Sequence, residues 1–475
     1  MSLKMPAWMS AYATRFLPFA DAASHDLPLG RLLRLSMFQL VIGMFMALMV
    51  GTLNRVMIVE LHVPAWWVAM AVAIPMVFAP LRTLIGYRSD THPSALGLRR
   101  IPYLWTGSLL LFGGLAVMPF ALLLLAEAVP ETLLLGQLGA GLSFIMIGTG
   151  LQVTQTAGMA LANDVAQEDK RPRVVALLYC MLLLGMILSS VLYGLFLSDF
   201  TPLRMIQVIQ GSAVLVIVIN LVSMWKQESR QAKRGARKAG GFSASWQELI
   251  AMPQMRRFLW TVGLGSFAFS MQDIVLEPYG AEILGLNVGN TSSLTALGAI
   301  GSLAAFGLSA KWLASGWHAC RLASFGILIG LPAFALVIFA APTESVAMFR
   351  TGVVLIGFGS GLFSVGMLVT AMSFQNTRMS GLILGTWGAV QATATGAAMA
   401  MGGAVRDLVT EMALSGRLGE ALNSPITGYS FVYHLEMYLL FVVLVALGPM
   451  LRASRLAARA VSTPTQPFGL AQLPG

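Results

Sequence analysis

The chain has 475 residues, of which 57% are hydrophobic and only 11% charged, a balance that excludes a soluble globular protein. Its net charge of +10 comes without aromatic residues interleaved in the basic runs. That pattern suits topology and anionic lipid headgroups and argues against nucleic-acid binding. Two cysteines, Cys180 and Cys320, supply neither a disulfide framework nor a metal site.

The first thirty residues are polar, contain His25, Asp26 and Pro28, and lack a cleavable signal pattern, so the first span is expected to act as its own anchor. Residues 6–19, with Trp8, Tyr12, Phe16 and Phe19, suit either a membrane interface or a loose tail. Apolar runs long enough to cross a bilayer, about 20 residues each, then follow at 33–58, 65–86, 101–126, 133–160, 174–198, 204–225, 256–278, 290–313, 320–341, 346–373, 380–404 and 431–451. These are spans one to twelve. A basic, polar linker at 226–254 separates two six-span halves, 31–225 and 255–451, flanked by segments 1–30 and 452–475.

Basic residues cluster on alternate connections: Arg88, Arg99 and Arg100; Lys170, Arg171 and Arg173; the run from Lys226 to Lys238; and Lys311, Arg321 and Arg378. Because such loops stay in the cytoplasm, both termini and the linker are expected there. Arg55, Arg204, Arg350, Arg406 and Arg417 fall on the outer side. An all-α, six-plus-six arrangement with a cytoplasmic central loop predicts a major facilitator-type fold of two pseudo-symmetric bundles.

Span seven carries the strongest functional signal. Its segment MQDIVLEPYGAEILG (271–285) puts Asp273 and Glu277 one helical turn apart, and intramembrane carboxylates are expensive. Pro278 should break or kink the helix at Glu277. Span one ends in a related sequence with Arg55 and Glu60, matching Gln272, Asp273 and Glu277 of its repeat mate. Five residues apart, Arg55 and Glu60 lie about 140 degrees around an ideal α-helix and are not expected to pair. Arg55 is expected instead to neutralise an acid of span seven where the two spans meet.

Between spans two and three, Gly86, Asp90, Gly97, Arg99 and Arg100 resemble a facilitator loop signature that clamps helices on the cytoplasmic side, with four extra residues before Gly97. Glycines of spans ten and eleven suit close helix packing or a face for a flat ligand. His62 and His434 stand at the outer ends of spans one and twelve and no histidine is mid-membrane, which disfavours a histidine-ligated pigment at the midplane. Asn163, Asp164, Gln167 and Asp169 partly match a prenyltransferase magnesium motif, with Gln167 in place of the middle acid and no second acidic motif.

The motifs at 51–61, 88–90, 97–103, 208–211 and 272–280 together resemble the PucC/LhaA family, the bacteriochlorophyll-delivery and light-harvesting assembly branch of the major facilitator fold, and the LhaA side more closely. The resemblance runs from about Arg31 to Arg452. It implies a non-enzymatic assembly factor for the light-harvesting 1 antenna around the reaction centre. It further implies bacteriochlorophyll, transient or bound, as ligand, with carotenoid or lipid as others. The implied partners are antenna polypeptides, the reaction centre, bacteriochlorophyll synthase, protein-insertion machinery and membrane lipids, all in the intracytoplasmic photosynthetic membrane. Pigment or partner binding is expected at Arg55, Glu60, Asp273, Glu277, Gln272, His62 and His434, with no metal site. A proton-coupled transporter and a pigment-synthesis enzyme subunit are the rival readings.

Overall fold

A computed structural model describes residues 27–77, 79, 98–126, 130–167, 171–228, 242–252, 254–374 and 380–462. Gly86, Asp90 and Gly97 lie outside these. The described residues form helices and no strands, and ten helices are long and apolar enough to cross a membrane. Span two contributes the shorter apolar helix Ala65–Val77, and span eleven is helical over Ser380–Leu414. Among the described residues, helical segments overlap each of the twelve apolar runs, span two being described as helix to Val77. Helix is the default here because a bilayer leaves no other partner for backbone N–H and C=O groups.

The halves meet along three seams: span one against spans seven and eight, span two against span eleven, and span five against span eight. Close approach needs small residues. A Cβ at Gly194 would crowd the Gly289 backbone, and one at Gly403 would crowd Ala65 and Ala69. In span ten, Gly357 packs on the Gly298 backbone and Gly359 on that of Gly326, so these glycines serve packing.

Spans one and seven are the irregular ones, and they are irregular where they touch. Span one begins as the α-helix Leu29–Met46 and continues through two π-helical segments, Ala47–Leu53 and Val56–Glu60. Span seven is interrupted. The helix Met255–Ser270 tightens into a 3-10 turn at Met271–Ile274 and resumes at Leu276–Glu282. The break therefore precedes Glu277 rather than falling on it. Pro278 sits in the first turn of the resumed helix, where its missing N–H leaves no hydrogen bond unmade. The linker adds a short helix, Phe242–Ala251.

Candidate functional site

The broken turn of span seven is held by two neighbouring helices. Glu436 of span twelve, fully buried, accepts the Gln272 backbone N–H at 2.7 Å. Asn54 of span one donates from Nδ2 to the Ile274 carbonyl at 2.7 Å. Together they satisfy backbone groups that the interruption frees inside an apolar medium. Span eleven presses on the same turn through Gly402, whose added Cβ would overlap the Met271 carbonyl oxygen.

Around this turn lies a cavity of about 280 Å³ between the halves, lined by Asp273, Glu277 and Gln272 and by spans one, five, eight, ten and eleven. A second lobe of about 250 Å³, bounded by spans one, two, four, five and eleven, shares Met46, Val50, Met186, Gln391 and Thr395 with the first. Glu277 is buried, with Oε1 accepting from Thr295 Oγ1 at 2.7 Å and Oε2 unpartnered. Gly51 of span one leaves room for that carboxyl, since a Cβ there would collide with Oε1. Asp273 is half-buried and receives Gln272 Nε2 at 2.5 Å.

Arg55 corrects the sequence expectation. It pairs with Glu60 at 2.5 Å, because Val56–Glu60 is π-helical and its i to i+5 bonding stacks residues that an α-helix would set far apart. The bond from Leu61 N–H to the Val56 carbonyl at 3.0 Å is of that type. Arg55 makes no ion pair with Asp273 or Glu277, although it lies near enough to Glu277 for their charges to attract, as the sequence anticipated. The two acids do share one cavity, as their spacing predicts. His62 and His434 do not join them: both are exposed, and His434 Nδ1 contacts its own helix at the Ser430 carbonyl, 2.7 Å away.

At the end predicted to be cytoplasmic, Arg100 pairs with Asp164 of span four at 3.1 Å. Glu228, just past span six, caps span three by accepting N–H groups from Arg99 at 2.7 Å, Arg100 at 3.0 Å and Ile101 at 3.2 Å. Asp164 thus serves a helix clamp. His318 caps span nine by accepting the Cys320 N–H at 3.4 Å, and burial lowers its pKa, which favours the neutral acceptor form.

The opposite end is tied together by a network that the sequence motifs did not bring together. Arg406 of span eleven bonds Glu282 of span seven, Asp407 at 2.8 Å and the Tyr429 hydroxyl at 2.7 Å. Tyr429 donates in turn to Glu282 at 2.8 Å. Asp407 then crosses to the other half, accepting the Trp66 backbone N–H at 2.8 Å.

Glu436, Asn54, Asp407 and Glu282 are the residues sequence reasoning missed. Glu436 alone had a usable signal, a single acid inside the apolar run 431–451.

Two six-helix bundles around an acid-lined central cavity define a multi-pass membrane protein of the major facilitator fold. A bacterial homologue of the lysosomal transporter Spinster superposes with a TM-score of 0.64 at 13% identity, covering 91% of this chain and 96% of that one. A POT family transporter gives 0.65 at 13% identity over 90% and 98%. The family model for PUCC protein matches residues 52–455, and the chain belongs to that family. It is 48% identical to Protein PucC of Rhodovulum sulfidophilum, covering 83% of this chain and 89% of that protein. It is 47% identical, over 98% of each, to a Rhodobacter capsulatus protein described by its position in the puhA-bchM intergenic region. The Bacteriochlorophyll synthase 44.5 kDa chain of Rhodobacter capsulatus is a more distant relative, 26% identical over 90% of this chain and 97% of that one.

Proposed function

We propose that this protein is an assembly factor of the photosynthetic inner membrane that helps insert light-harvesting 1 polypeptides around the reaction centre and passes bacteriochlorophyll to them. The observation that carries the reading is the cavity at the broken helix of span seven, set in a chain of the PucC family. Pigment is here cargo. Its flat, greasy ring fits walls of Met46, Met186, Phe269 and Gly388, and its electropositive magnesium fits an acceptor such as the unpartnered Gln272 Oε1. Each lobe alone lies at or below the lower end of ligand-pocket volumes, about 300 Å³. A macrocycle would occupy both. Among the described residues no histidine lines either lobe, so axial ligation there falls to an amide or carboxylate oxygen, or to water.

The chain's own residues supply binding and orientation. Gln272 and Asp273 sit on a turn that Glu436 and Asn54 hold in place, and apolar walls keep bulk water from the ring. No bond-making step is assigned to them, and the protein is proposed to be no enzyme. The name of the distant synthase-chain relative keeps one rival, a subunit required for pigment synthesis.

Replacing Asp273 by Asn and Glu277 by Gln removes charge while keeping volume. In a phototrophic host, core antenna per reaction centre should fall severalfold in both variants, with normal amounts of the protein in the membrane and pigment synthesis continuing. Unchanged antenna in both variants would return the site to helix packing. Arrested pigment synthesis would favour the enzyme-subunit reading.

A further inference from the structure

The unpartnered polar atoms of the two lobes have opposite hydrogen-bonding characters. In the first, the only ionisable side chains among the lining residues are the carboxyls of Asp273 and Glu277. Gln272, 5% exposed, lines the same wall and leaves Oε1 without a partner. No Lys, Arg or His is among the described residues lining either lobe. Arg55, which lies near Glu277 on span one, is already paired with Glu60. In the second lobe, Trp387 is 6% exposed and its indole Nε1–H has no acceptor. A buried polar atom without a partner that lines a cavity is free to serve a ligand there, and an indole nitrogen can only donate.

From these orphans and the absence of a basic residue in the lining, we infer that the cavity binds one ligand with two distinct ends. An electropositive group, a cation or a metal centre, faces Asp273, Glu277 and Gln272. Across an apolar middle, a carbonyl or similar acceptor meets Trp387. The same wall disfavours a ligand that places a free carboxylate at that end, beside two carboxyls whose neighbouring arginine, Arg55, is already paired with Glu60. If the ligand is the tetrapyrrole of the proposed function, on which this step of the inference rests, its metal centre faces Asp273, Glu277 and Gln272 and a ring carbonyl faces Trp387.

The test uses the purified full chain in mild detergent and flat polycyclic aromatic probes carrying a ketone at one end. At the other end they carry an amine, a methyl ester or a carboxylate. Binding is read from probe fluorescence after subtracting partition into empty micelles. The expected order is amine, then ester, then carboxylate, with about tenfold or more between first and last. A carboxylate probe that binds as tightly as the amine overturns the inference. In the doubly neutral variant Asp273→Asn/Glu277→Gln the order should collapse to within about twofold while the ester keeps its affinity. A persisting order would remove these residues from the assignment. Trp387→Phe should weaken the ketone probes about fivefold and leave methylene analogues unchanged. Equal weakening of both would mean that Trp387 packs and does not donate. Antenna content of the same variants is read separately. Normal antenna with the charge order intact in wild type sinks the assembly reading alone, whereas a missing charge order sinks the inference whatever the antenna content.

Discussion

Arg55 and Glu60 are partners of unequal exposure, their side chains 5% and 33% accessible. Removing the acid leaves a buried guanidinium uncompensated, whereas removing the arginine leaves a carboxylate that can turn to water. Glu60→Leu should thus destabilise by about 1–3 kcal/mol, more than Arg55→Met, and the double variant should regain part of the loss. Apparent unfolding temperatures of the four proteins in one detergent measure this coupling; additive effects would mean that the pair is not a pair. At Glu436 the two isosteric directions separate roles. Glu436→Gln keeps an acceptor for the Gln272 N–H, while Glu436→Leu strands it at a cost of about 1–3 kcal/mol. Lower thermal stability of the Leu variant alone is the expected outcome, and equal loss in both would point to a need for the charge itself.

The irregular elements are a matched set. Repeat mates one and seven both leave α-helical geometry at their point of contact, one by widening to π and the other by tightening to a 3-10 turn. Such departures persist only where neighbours satisfy the backbone. Span eleven is the third member, because its Gly402 lets the helix lie against the Met271 carbonyl. Gly402→Val should force the helices apart and cost about 1–3 kcal/mol. Its tell-tale is specific: probe binding at the cavity should drop with stability, while a similar substitution at Gly448, which has open space around it, changes neither. Matching effects at the two sites would detach the glycine from the site.

At the scale of the molecule, the inter-half contacts named above include a cross-half hydrogen bond at the end predicted to be periplasmic, from Trp66 to Asp407, backed by Arg406, Glu282 and Tyr429. The described salt bridge at the other end, Arg100 to Asp164, stays within one half. Which end faces the cytoplasm follows from charge bias. Alkaline phosphatase fused after Gly240 should be inactive and after Ser424 active. The reverse result would invert the topology.

Much of this was legible in the sequence because a bilayer imposes simple rules. Length and apolarity dictate helices, Lys and Arg placement gives the expected orientation, and a carboxylate in an apolar run stands out, which is how Asp273 and Glu277, now seen on one cavity wall, drew attention. The sequence motifs at 51–61 and 272–280 likewise paired spans one and seven before their contact was visible. What the chain could not reveal is whatever depends on a local change of helical period or on convergence from distant helices. Five residues separate Arg55 from Glu60 in any reading, but whether they meet turns on π-helical winding, which is set by packing against the broken turn of span seven. Glu436, Asn54 and Gly402 reach that turn from three other helices, and Asp407 links the two halves at the end predicted to be periplasmic. Those partnerships are tertiary because the energy of an unpaired backbone group in lipid is decided by whichever side chain the fold brings to it, and sequence distance says nothing about which one that is.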